Sequence, residues 1–356
     1  MRQKTIVTAA LCPSRPRASA IFVSGLVLGL GWGLSACGGS TPPPESAATP
    51  AELAASPSEE AAASGDAPAA AGKSPSPGFN DGVAAIRDGK YDVAATLFEK
   101  VVADQPRNAQ ARFYLGVAQQ NLNQLPAARA SYEKAVQLDP KLSDGWVNLT
   151  ALLLDEGDAQ SALPLVERGL AGTPKHPGLL YNRALALSAL GKTNDAVPAY
   201  RQALEADPNN LEIKYGYAEA LIAAGSKEPG TKLLVELAQS DNVDVLASAG
   251  RLLGQLEQFD PCLQALSKAI AKKPAAELYV SRGLCQHGKK DDDAAFADFK
   301  QAIATDPSYA PAHYYAGMHL RSKGKKAEAR QALARAVQLA GDQGVGKAAK
   351  RALESL

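Results

Sequence analysis

The chain has 356 residues, 46% of them hydrophobic and 21% charged, with a formal net charge of +1. That balance provides no basic excess for nucleic acid, and the scarcity of Val and Ile runs fits an all-helical array, which lengthens by adding units rather than enlarging one core. Residues 1–17 carry Arg2, Lys4, Arg15 and Arg17 and no acid, and Ala18 to Gly33 is an apolar stretch. It is shorter than the roughly 20 apolar residues that a bilayer-spanning helix needs and suits a secretory leader, here assigned to residues 1–36.

Leu34, Ser35 and Ala36 precede Cys37, and Gly38, Gly39 and Ser40 follow it. This run resembles the lipobox of bacterial lipoproteins. The resemblance implies that Cys37 is acylated and becomes the new N-terminus, and acyl chains on one residue hold a protein firmly to a bilayer. In similar lipoproteins a residue such as Gly38 after the cysteine implies export to the outer membrane, facing the periplasm. Residues 37–74 are rich in Pro, Ala and Ser with almost no bulky apolar side chain. Such a stretch cannot bury enough surface to offset its ordering entropy, so it is expected to be a disordered tether with ends about 35 Å apart on average.

From residue 75 onward the sequence repeats. Pro106, Pro140, Pro174 and Pro208 are each 34 residues apart, a period that marks stacked helix pairs. A small residue recurs on each first helix, as at Gly82, Gly116, Gly250, Gly283 and Gly317, and another on each second helix, as at Ala94, Ala128 and Ala162. Four residues past the latter stands a bulky knob, such as Phe98, Tyr132, Tyr200, Leu266 or Phe299, one turn along the same face. Gly89, Gly157, Gly191, Gly225 and Gly324 mark the turns between paired helices, with Asn123 in the second unit and Glu257 and Lys290 departing from the pattern. Asn242 stands where the fifth proline is due, and residues 226–243 place Pro229 and Gly230 at a helix start that packs only if Pro229 sits in the first turn. A local irregularity is expected there.

This skeleton resembles the tetratricopeptide repeat family. The resemblance implies an all-α fold, an α-solenoid or superhelix of about eight helix pairs over residues 75–342: 75–108, 109–142, 143–176, 177–210, 211–242, 243–275, 276–309 and 310–342. The remaining residues, 343–356, place Val345, Ala349, Ala352, Leu353 and Leu356 on one helical face, as a helix capping the stack would.

The chain carries no recognisable catalytic or metal-binding motif. His313 and His319 are six apart, where a helical ligand pair needs three or four, and Gly72, Lys73 and Ser74 lack the glycine spacing of a phosphate loop. No enzyme, cofactor, metal or small-molecule substrate is therefore expected. Cys262 and Cys285, on helices of neighbouring units, either form a disulfide or remain buried thiols. The basic residues Arg321, Lys323, Lys325, Lys326, Arg330 and Arg335 gather near the C-terminus, as a solvated face or as a contact for an acidic partner.

In similar proteins the first helices line a concave groove that binds other polypeptides. One row of that wall reads Phe79, Phe113, Val147, Tyr181, Tyr215, Ala247, Val280 and Tyr314, with Asn148 and Asn182 beside it. Aromatic rings suit peptide anchoring, although they equally suit packing between adjacent first helices. The lysines and asparagines that clamp a C-terminal carboxylate in some relatives are replaced here by aromatic or aliphatic residues. The expected function is a lipid-anchored periplasmic scaffold binding envelope proteins or peptides. The alternatives are a pilotin-like assembly factor for a pilus or secretion-system secretin, and an adaptor of peptidoglycan enzymes.

Overall fold

The computed structural model describes residues 77–341 and 344–356. The leader, Cys37 and the Pro-rich stretch lie outside the described residues. Those described form seventeen α-helices and no strand. The first four pairs are α1 (Pro77–Arg87) with α2 (Tyr91–Asp104), α3 (Ala109–Asn121) with α4 (Leu125–Leu138), α5 (Ser143–Asp155) with α6 (Ala159–Gly172), and α7 (Pro177–Ala189) with α8 (Thr193–Ala206). Then follow α9 (Leu211–Ala223) with α10 (Lys227–Leu237), α11 (Val243–Gln255) with α12 (Phe259–Lys272), α13 (Ala276–Gly288) with α14 (Asp292–Thr305), and α15 (Ala310–Ser322) with α16 (Lys326–Ala340). A last helix, α17 (Gly344–Glu354), packs on both α15 and α16.

Every helix contacts its sequence neighbour, and first helices also touch the first helix of an adjacent unit, as α5 does α7 and α9 does α11. This is the connectivity of a solenoid, in which each unit is stabilised by the next. Within a unit the knob fills the notch left by the small residue. A Cβ on Gly116 would lie 2.6 Å from Cε1 of Tyr132, and one on Gly283 would lie 2.6 Å from Cε1 of Phe299. Phe98, Tyr132, Leu234, Leu266 and Leu333 are accordingly inaccessible to solvent.

Some helix starts are capped by side chains that accept otherwise orphaned backbone N–H groups. The Asn108 Oδ1 accepts from the Ala111 amide at 2.9 Å, and Asn210 Oδ1 accepts from Glu212 and Ile213, each at 3.1 Å. Asn242, standing where a proline was expected, does the same for Asp244 and Val245. Pro229 falls third in α10, inside the first turn where its missing N–H costs nothing. The irregularity is expressed as length: α10 has 11 residues against 14 in α12.

The turn pattern needs one correction. Glu257 (φ 58°) and Lys290 (φ 67°) adopt the same left-handed conformation as Asn123 (φ 63°) and the turn glycines. They depart in residue type and not in backbone, because neighbouring packing imposes the turn whatever side chain occupies it.

The cap covers the end of the stack as its apolar face predicts. Ala349 and Ala352 are buried against Tyr314, Leu333 and Ala336, with Val345, Leu353 and Leu356 packed around them. Two of the six residues of the basic cluster serve this contact: Arg321 donates to Ser355 Oγ at 3.0 Å and Lys326 Nζ to the Leu356 carbonyl at 3.3 Å.

Candidate protein-binding groove

The row proposed from sequence as a groove wall is mostly interior. Phe113, Val147, Tyr181, Ala247, Val280 and Tyr314 are buried, and only Phe79 and Tyr215 keep partial exposure. The rings meet one another. Phe79 packs edge-on to Phe98 and to Tyr114, with centroids 5.6 Å apart in each case, and Tyr181 packs edge-on to Tyr200 at 6.1 Å. Burial pushes the Tyr181 hydroxyl well above its ordinary pKa. Residues at this register point into the seam between first and second helices, so space filling wins over open display.

Asn148 and Asn182 are also displaced from the wall, each 1% exposed. Asn182 Nδ2 donates to the Val147 carbonyl at 3.0 Å and to Thr150 Oγ1 at 2.8 Å, which ties α7 to α5. Asn148 lies beside the Tyr132 hydroxyl, which donates to Gln120 Oε1 at 2.7 Å. The Oδ1 atoms of both asparagines have no hydrogen-bond partner among the described residues, and it is burial that keeps these amides from reading a peptide backbone. The whole of Gly145–Leu153 in α5 is buried, so that unit offers no accessible wall.

Two charged side chains stand further along the first helices, Glu219 on α9 and Arg251 on α11. Tyr215 Oη donates to Glu219 Oε1 at 2.9 Å. Glu219 is exposed, yet desolvation raises its carboxyl pKa, with the Tyr215 hydrogen bond opposing. The two facts agree for a side chain in a concave wall, which water reaches from one side while protein crowds the others. Arg251 donates to Ser248 Oγ at 3.3 Å. Desolvation lowers its pKa, and Tyr215, Glu277, Tyr309 and Asp244 oppose that by Coulomb attraction. Tyr309 is pushed up to about 12, first by burial and then by the Glu277 carboxylate. These groups form one polar patch with aromatic hydroxyls around it. Reading the sequence through the aromatic row passed over Glu219 and Arg251, although their spacing signal is present: each occupies the position one after the small first-helix residue, where other units are apolar.

Behind this patch, a disulfide joins Cys262 of α12 to Cys285 of α13, with Cα atoms 6.5 Å apart. Arg282 of α13 reaches Asp298 of α14 through a two-pronged ion pair of 2.8 and 2.7 Å, with Asp298 only 5% exposed. Both links brace the wall without facing it. Among the described residues no cluster of histidine, cysteine and carboxylates has the makings of a metal site, and no helix is long and apolar enough to cross a membrane.

The comparisons agree with this architecture. One tetratricopeptide repeat model matches residues 80–143, 248–310 and 293–344, and a second matches 187–247. The unmatched residues 144–186 include the buried run Gly145–Leu153 of α5. The Hsp70-Hsp90 organizing protein of Triticum aestivum is 35% identical over 98 residues, which span 28% of this chain and only 17% of that protein. Yeast Tom70 superposes with a TM-score of 0.53 at 15% identity, covering 82% of this chain and 66% of that one. A tetratricopeptide repeat protein from Parabacteroides merdae gives 0.52 at 20% identity, over 68% of this chain and 97% of that one. The 34-residue register, the knob-and-notch packing and these matches together make the chain a member of the tetratricopeptide repeat family.

Proposed function

We propose that the chain is a protein-interaction scaffold, fastened by lipid on Cys37 to the periplasmic face of a bacterial outer membrane, that holds segments of envelope proteins along its first helices. The observation that carries the interaction reading is the patch on α9 and α11, where Glu219, exposed, and Tyr215 and Arg251, partly exposed, interrupt with polar groups a row that is otherwise apolar. Rigid amphipathic rings beside charged groups are the chemistry of polypeptide anchoring. The wheat relative is named as an organiser of two other proteins, and the present reading extends that kind of role to this chain. The sequence around Cys37 supports the anchor, and the Pro-rich residues 37–74 support a tether that lets the repeats reach a partner away from the bilayer.

Two experiments test this reading. Replacing Cys37 by Ser is expected to release the protein from the membrane fraction; full retention would remove the anchor. Proximity labelling from the C-terminus of the anchored chain, followed by mass spectrometry, is expected to enrich envelope proteins. Enrichment of a secretin would select the assembly-factor role, and enrichment of peptidoglycan enzymes the adaptor role. The Tyr215→Ala variant is expected to lose that enrichment while keeping its helical content; unchanged enrichment would move the binding surface away from α9.

A further inference from the structure

One position after the small residue of each first helix runs a second row along the stack. It is apolar in six of eight units, from Val83 and Val117 to Leu284 and Met318, and is broken only at Glu219 and Arg251. Among the described residues neither of these makes an ion pair. They are not equivalent, however. Arg251 has the carboxylates of Asp244 and Glu277 in its field. Among the described residues Glu219 accepts one side-chain hydrogen bond, from the Tyr215 hydroxyl at 2.9 Å, and the charge of Arg251 acts on that same hydroxyl without pairing directly with the carboxylate. A carboxylate that is crowded by protein, reachable from solvent and unpaired is costly to keep, and an incoming cation would offset that cost.

We propose that Glu219, assisted by the Tyr215 hydroxyl, receives a lysine or arginine side chain of an extended partner segment whose residues to either side of that base are apolar. The inference rests on the groove reading above and specifies its ligand. Charge decides the sign: three carboxylates, Glu219, Asp244 and Glu277, stand against one guanidinium, so the patch favours a cation. Geometry decides the spacing. Adjacent first helices lie about 8–10 Å apart and an extended chain advances about 3.3 Å per residue, so one helix corresponds to about three partner residues. Leu185, on the first helix before Glu219, then meets an apolar residue about three positions from the base, and Leu284, two helices beyond, meets one about six positions away on the other side.

The test is selection of a random twelve-residue phage-displayed library on the purified full chain and on its Glu219→Gln variant, with affinities of the winning peptides measured on both. Peptides selected by the natural chain are expected to carry a base with apolar residues at about those offsets, and to bind Glu219→Gln about tenfold more weakly, the share of one charge-assisted contact. The variant is expected to melt at or above the temperature of the natural chain, because it loses an unpaired charge. Peptides that bind both proteins equally, or that carry no base, would overturn the inference and leave the groove reading standing. A variant that melts lower would overturn it too, by making Glu219 a structural acceptor for Tyr215. A library yielding no binder to either protein would sink the inference together with the groove reading.

Discussion

Glu257 shows how a repeat can hold a backbone conformation against its own side chain. Its φ of 58° lies where a Cβ crowds the backbone, at about 1 kcal/mol or more for residues other than glycine. Glu257→Gly should therefore raise stability by about 0.5–1 kcal/mol in urea denaturation, part of the relief being returned as unfolded-state entropy. The opposite change, Gly157→Ala at φ 80°, should lower it by a similar amount. Glu219 makes a second prediction at this scale. Burial raises its carboxyl pKa above the unfolded value, so folding favours the protonated form. Its contribution to stability therefore improves as pH falls from neutrality through the raised pKa toward the ordinary carboxylate range, the reverse of a salt-bridged acid. Denaturation midpoints should favour Glu219→Gln over the natural chain at neutral pH, and the gap should close on acidification. A gap that widens toward acid would contradict the desolvated state of this group.

At the scale of helices, Arg282 and Asp298 clamp α13 to α14 with both prongs of a guanidinium on a nearly inaccessible carboxylate. Removing one partner strands the other, so Asp298→Ala should cost about 2–4 kcal/mol by chemical denaturation, while helical content in native buffer persists. Nothing in the repeat pattern announced this pair. Reading a repeat means comparing equivalent positions, and that comparison is blind to a contact made in one unit only. The same limit explains the groove. The 34-residue period and the small and bulky positions give helix count, order and the Gly116–Tyr132 type of contact directly. Which face of a first helix is left open depends on how tightly neighbouring units close. Asn148 and Asn182 could have faced either way on sequence grounds, and Thr150, the small residue of its unit, supplies the buried hydroxyl that draws Asn182 inward. The polar break at Glu219 and Arg251 was visible as an exception within an apolar row, which pattern matching discards.

Over the whole molecule, stability is a chain of nearest-neighbour interfaces, so a local change should be felt locally. The Cys262–Cys285 disulfide closes a separation of 23 residues, and losing it should cost about 3 kcal/mol on loop entropy. Because it joins α12 to α13, reduction should loosen the two units that carry Arg251 and Glu277, lowering the melting temperature of the natural chain but not of a Cys262→Ser, Cys285→Ser double variant. The end of the stack offers a cleaner separation of local from global effects. Helix α17 packs against α15 and α16, where it covers Tyr314, Leu333 and Ala336 and is held by Arg321 and Lys326. Deleting residues 344–356 removes the burial of Ala349 and Ala352 and of the partly buried Val345, Leu353 and Leu356, worth about 2–3 kcal/mol to the last unit. With no disulfide beyond α13 to restrain them, α15 and α16 should then fray as one unit. Amide exchange in Ala310–Ser322 and Lys326–Ala340 should accelerate by one to two orders of magnitude for that loss, about tenfold per 1.4 kcal/mol. Exchange in Val243–Gln255, two units back and behind the disulfide, should hold its protection. Uniform acceleration from α1 to α16 would mean that the units unfold together, and would replace the one-dimensional description of this chain with a single cooperative core.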